Sequence, residues 1–179
     1  MHRRQAVNSV NTDQAVETSQ DDLREQVAHL HGRLHLTDVR VQRLRAESLG
    51  DPPFDVNSIQ IHSGPCEVLL EPPRFAARVN QTVTLRDLDE QTLAEVEIVL
   101  IIDYALDEGP DLPEDVVSAY VEHNTYFTAH PYLRETLQNA TLRLGLEPVI
   151  LGVLDRNQPR PHEVMLVRRA PARSDEASQ

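Results

Sequence analysis

The stretch 126–154, YFTAHPYLRETLQNATLRLGLEPVILGVL, constrains the rest of the chain more than any other. Leu133, Leu137, Ala140, Thr141 and Leu144 recur at the spacing of one face of a 3.6-residue helix. Gly145 stands just past the last of them, where a left-handed residue ends a helix, and Pro148 stops any continuation. Pro131 disfavours α backbone at His130, so a helix arriving from residue 114 is expected to kink or pause there. Val149, Ile150, Leu151, Val153 and Leu154 then leave the helix as an extended apolar run. Local pattern alone describes a core helix and its exit loop.

Upstream the period changes from 3.6 to 2. Phe75, Ala77, Val79, Val83 and Leu85 alternate with Arg74, Arg78, Asn80, Thr82, Thr84 and Arg86, giving one buried face and one wet face. Ala94, Val96, Ile98, Leu100, Ile102, Tyr104 and Leu106 alternate with Glu95, Glu97, Asp103 and Asp107, and at Val99 and Ile101 both faces turn apolar. Residues 87–91 join these runs as an antiparallel hairpin. Residues 36–48 read as a first strand with Val39 and Val41 on one side, ended by Gly50-Asp51-Pro52-Pro53. A weaker second strand holds Val56, Ile59 and Ile61, is interrupted at Gly64-Pro65 and resumes over 66–70. Pro72-Pro73 cannot donate ladder hydrogen bonds, which places them at an edge, a bulge or a turn.

Before the first strand, Leu23, Val27, Leu30 and Leu34 mark a short amphipathic helix starting at Asp21-Asp22, and residues 1–19 read as disordered. After Gly109-Pro110, the acids at 111, 114 and 115 start a helix to about residue 128, with Tyr120 and Phe127 on one side. The expected fold is α+β: a four-stranded antiparallel sheet, then a long kinked helix on one face, with a short N-terminal helix. Residues 20–167 make one domain, and 168–179 a disordered tail.

The residue string narrows the class further. Pro131-Tyr132, Arg134-Glu135, a dozen helical residues, then Gly145-Leu146 and Pro148 before an apolar exit resemble the SecB family of export chaperones. Their main helix carries a PYARE-type segment and closes on a GLPP-type turn. The resemblance covers roughly residues 20–155. Residues 155–179 depart from it: Pro159 and Pro161, an apolar 164–167, and three arginines against two acids over 168–179 stand where the family has a second helix and an acidic tail. That departure, with the helix before the first strand, resembles SecB-like chaperones of actinobacteria, some of which work with toxin–antitoxin pairs.

The resemblance implies an ATP-independent holdase without a cofactor. It would bind unfolded polypeptides in an apolar groove between the loop after the first strand and the main helix, and assemble as a homotetramer, a dimer of dimers. The implied client-binding residues are Phe54, Val56, Ile59, Tyr120, Tyr126, Phe127, Tyr132 and Leu133, each of which plain core packing would also explain. The apolar patch at Val99 and Ile101, with Leu137, Ala140 and Leu144, is the local motive for assembly. Glu47 and Glu97 match acids with which the family docks the export ATPase SecA, whereas Arg43 stands where another acid belongs. Weak or absent SecA binding is therefore expected, with a dedicated client such as an antitoxin as the main partner and export secondary.

Composition removes other classes. Of 29 acidic residues, twelve lie between 87 and 122, where there is no arginine, and the net charge is −12. A phosphate backbone needs a basic footprint, so nucleic acid is not expected as a partner. All 17 basic residues are arginine, there is no tryptophan, and Cys66 is the only cysteine, excluding an intramolecular disulfide and a cysteine-rich zinc site. No apolar run approaches a membrane span and no leader pattern is present, which predicts a cytoplasmic protein without membrane insertion. His31 and His35 are four apart on a helix, but nothing completes a metal ligand set. His123 and His130 have no nearby nucleophile in sequence, and no glycine-rich phosphate loop exists. No catalytic residue is assigned. The alternative is a small α+β enzyme or ligand-binding protein with a pocket near Asp103 and Tyr104, although solvent exposure at a strand end explains Asp103 more simply.

Overall fold

A computed structural model describes residues 10–109, 111–154 and 163–167. Helix α1 (Val10–Arg33) passes directly into β1 (Leu34–Ser48), followed by β2 (Ser58–Ser63), β3 (Cys66–Glu71), β4 (Arg74–Arg86) and β5 (Thr92–Leu106). Then come α2 (Glu114–Tyr120), a π-helical turn (Val121–Thr125), α3 (Tyr126–Arg143) and β6 (Val164–Val167). The strands form one sheet in the order β1-β5-β4-β3-β6, with β2 also paired to β4. Of the segments expected to be disordered, 1–19 and 168–179, residues 1–9 and 168–179 lie outside the described residues, and α1 begins at Val10 rather than at Asp21.

The sheet has six strands, not four, and it is mixed. Gly64-Pro65 splits the weak second strand into β2 and β3, which pair with successive halves of β4. Gly64 donates to the Asn80 carbonyl at 3.1 Å, and a side chain at Gly64 would meet that of Asn80. Pro65 has no N–H to offer the ladder, so pairing lapses there and resumes at Glu67 opposite Arg78. The sixth strand, β6, lies parallel to β3. Pro72-Pro73 form the turn between β3 and β4, and the Pro73 carbonyl accepts from Leu106 N–H at 2.7 Å. In the β4–β5 turn, Asp87 Oδ1 accepts from the N–H groups of Asp89 and Gln91.

Even-numbered residues of β5 from Ala94 to Leu106 are buried on the helix-side face with Phe75, Ala77, Val79, Val83 and Leu85 of β4. Leu30 of α1, Val116 and Val117 of α2, and Leu133 and Leu137 of α3 close that core. The helical segment is not interrupted where Pro131 suggested. α3 runs through Pro131, and the irregularity is the π-helical turn just before it. A π-turn widens the ladder by one residue, so the break in regular bonding precedes the proline.

The end of α3 is as its residues require. Gly145 has φ 77°, Leu146 N–H donates to the Thr141 carbonyl and Gly145 N–H to that of Leu142, both at 3.1 Å. Buried Thr141 also accepts from Val149 N–H through its hydroxyl at 3.1 Å. This ties down a strap that buries Leu146, Val149 and Leu151 and returns along α3 to His130, whose Nε2 meets the Gly152 carbonyl at 2.7 Å.

Candidate functional site

The helices cover the middle of one sheet face and leave its margins open. α3 packs on β5 and β1, and α2 packs against α1. At one margin, β1 turns Leu36, Val41 and Leu44 to the helix side in register with Tyr104, Leu100 and Ile98, yet they remain 50%, 45% and 41% exposed. Bulges after Leu36 and Val41 shift the alternation so that all three share that face. At the other margin, β2 presents Ile59 and Ile61 opposite core residues Leu85 and Val83, and they are 47% and 49% exposed.

Beside β2 runs the connection 49–57. Leu49 and Gly50 N–H donate to the Leu93 carbonyl, and Asn57 N–H to that of Arg86, so the segment crosses the end of the β4–β5 hairpin. A Cβ on Gly50 would lie 3.3 Å from the Leu93 side chain and 3.7 Å from that of Phe54. Phe54 and Val56 are half-buried and pack on the core from this connection. With Ile59 they form an apolar ledge beside a strand edge that pairs with no strand among the described residues.

The rest of the expected set is not brought to that ledge. Tyr120, Tyr126 and Leu133 are core residues, 2%, 5% and 3% exposed. Tyr120 packs edge-on against Phe75 and Tyr104, which explains its aromatic side chain without any ligand. Phe127 is half-buried and Tyr132 exposed on α3, over the β1–β5 side of the sheet. Ile61 was missed, although it continues the alternation of Ile59. Leu36, Val41 and Leu44 were missed because two bulges hide their common face. Val99, Leu137 and Ala140, read as motives for assembly, are buried within the chain itself, and Leu144 is half-buried.

The opposite sheet face is charged. Arg43 Nη1 donates to Glu97 Oε1 at 3.2 Å, and Arg45 Nη2 to Glu47 Oε2 at 2.7 Å. Asp103 is buried on that face, not exposed as expected. It accepts from Arg74 Nε and Nη2 at 2.9 and 2.6 Å and from Arg40 Nη1 at 2.5 Å. Burial pushes its carboxyl upward, but the hydrogen bonds from Arg40 and Arg74 outweigh this and hold it below the ordinary aspartate value. Tyr104 points to the core instead, so the two neighbours do not share a site. A shallow depression of about 350 Å³ lies beside Asp103, Arg40 and Arg74. Among the described residues no group of three His, Cys, Asp or Glu could hold a metal ion, and no helix is long and apolar enough to cross a membrane. Burial pushes the Cys66 thiol up to about 12, which keeps it protonated at neutral pH.

The chain thus has an α+β fold in which the helices cover one face of a mixed sheet, a connection crosses the hairpin end and the helix-side margins are apolar. The solved structure of the Mycobacterium tuberculosis Rv1957 SecB-like chaperone, in complex with a ChAD peptide from the Rv1956 HigA1 antitoxin, matches this fold. Its TM-score is 0.67 at 22% identity, covering 75% of this chain and 99% of that one. In sequence, the chain is 34% identical over 82 residues to the SecB-like chaperone Rv1957 of M. tuberculosis H37Rv, and equally to the SecB-like chaperone MT2006 of strain CDC 1551 / Oshkosh. The match spans 45% of this chain and 45% of each of those relatives. No protein-family model matches the chain. Sequence and fold thus carry the SecB resemblance from different directions.

Proposed function

We propose that the protein is an ATP-independent holdase that binds unfolded or non-native polypeptides along the apolar margin formed by Phe54, Val56, Ile59 and Ile61. The observation that carries this reading is Ile59 and Ile61, half-exposed on a strand whose outer edge pairs with no strand among the described residues. Such an edge offers a client both apolar contact, about 25 cal/mol per Å² of apolar surface removed from water, and backbone hydrogen bonds. A net charge of −12 opposes non-specific aggregation of a protein with exposed apolar surface.

A dedicated client such as an antitoxin fits best, because the structurally matched relative is bound to an antitoxin peptide. Export is secondary, the site of action is the cytoplasm, and no nucleic acid, cofactor or catalytic step enters this reading. The Asp103 depression favours no enzyme, since its carboxylate is committed to two arginines. Leu36, Val41 and Leu44 on the opposite edge support homotetramer formation through β1.

The test is aggregation of a chemically unfolded protein, with and without the purified chain and without nucleotide. Suppression by the wild type, lost in Ile59→Asp/Ile61→Asp with an unchanged circular dichroism spectrum, is the expected result. Aggregation at the same rate with and without the wild type, tested also with a neighbouring-gene antitoxin, contradicts the proposal.

A further inference from the structure

β6 stands apart from the other strands. It has four residues and one neighbour, and it makes the parallel pair among the described strands. Its register sets Cys66 beside Val164 and Val68 beside Leu166, and Cys66 N–H donates to the Glu163 carbonyl at 2.8 Å. Cys66 and Val68 are fully buried, but Val164 and Leu166 are only half-buried, and Met165 and Val167 are exposed. β6 therefore satisfies the outward backbone groups of β3 while burying little apolar surface of its own. Short pairings with one neighbour lie at the low end of local stability.

The end of β6 also walls a cavity of about 600 Å³. Leu166 and Val167 line it with Leu70, Leu106 and Leu112, as do Asp107, Glu108 and Asp111. Arg33 lines it too, with its guanidinium held against the Asp107 carbonyl at 3.0 Å. Past Val167 the sequence continues with Arg168-Arg169.

The geometry points to the outer edge of β3 as an acceptor for an extended client segment, with β6 a resident strand that occupies it until a client displaces it. This rests on the chaperone reading and deepens it. An incoming strand makes the same backbone bonds, its alternate side chains taking the positions of Val164 and Leu166. The resident strand states the chemistry of the segment that fits: extended, with alternate apolar residues directed to the core.

Cys66 is the only cysteine, so Val164→Cys in the full chain allows one defined cross-link, between β3 and β6. Two probes suffice: a fluorescein-labelled peptide of residues 163–170, EVMLVRRA, and reduced, carboxymethylated α-lactalbumin. The oxidised variant is expected to bind the peptide at least about tenfold more weakly than the wild type, with recovery on reduction, because the competent state is no longer populated, while α-lactalbumin is still held at the β2 margin. Should the cross-link not form, Val164→Ser/Leu166→Ser loosens β6 without adding charge and is expected to bind the peptide about tenfold more tightly, by the same population arithmetic. Unchanged peptide affinity in the oxidised variant, or in the double serine variant, overturns the inference and leaves the chaperone reading standing. A wild type that binds no unfolded polypeptide overturns both.

Discussion

Asp103 and Gly145 mark the two extremes of what a single residue discloses. The role of Gly145 is local: it follows a periodic run, takes φ 77° and completes the helix cap within a few residues of itself. The partners of Asp103 stand 29 and 63 residues away, and only the strand register brings them together. Nothing in its own neighbourhood distinguishes a carboxylate held by two arginines from a solvated one. Because its folded pKa lies below the unfolded value, its contribution is fully present above the unfolded pKa, about 3.9. It is lost as pH falls through the folded value. Asp103→Asn is therefore expected to cost ~1–2 kcal/mol near neutral pH, the half-exposed arginines limiting the loss. The difference from wild type should narrow as pH falls below the unfolded pKa. Urea unfolding from pH 7 down to 3 reads this directly, and a deficit that persists unchanged in acid contradicts it.

At the scale of elements, the strongly periodic segments were legible and the interrupted ones were not. The β4–β5 hairpin and the α3 stripe follow from period alone, since each apolar position faces the core it was assigned to. β1 followed as a strand with Val39 and Val41 on one face, but bulges after Leu36 and Val41 hid that Leu36 and Leu44 share that face. β6 did not, because a parallel partner 98 positions away leaves no local signal. Pro131 misled for a different reason: the π-helical turn ahead of it takes up the irregularity. Of the candidate site, Phe54, Val56 and Ile59 were visible as apolar residues beside turn signals. Tyr120, Tyr126 and Leu133 could not be told from core by pattern. The open face of β1 is assigned to assembly, so Val41→Asp/Leu44→Asp is expected to shift light scattering from the mass of four chains to one or two. A wild type that already scatters as a monomer at micromolar concentration contradicts that assignment.

Across the whole molecule, the two sheet faces divide the work. The helix-side margins are apolar, while the opposite face pairs its acids with arginines from β1 and β4. Glu47 and Glu97 are thereby partly neutralised by Arg45 and Arg43, which leaves little to attract a basic docking surface. Titration calorimetry against the cognate SecA is expected to show weak or no binding at low and physiological salt. Submicromolar, salt-sensitive binding contradicts this. The central claim is that unfolded chain is held at the β2 margin, and methyl NMR tests it most directly. On adding an unfolded polypeptide, the Ile59, Ile61 and Val56 methyls are predicted to shift while core Ile98 and Ile102 stay in place. Shifts confined to the charged face around Asp103, or none at any methyl, would contradict the account.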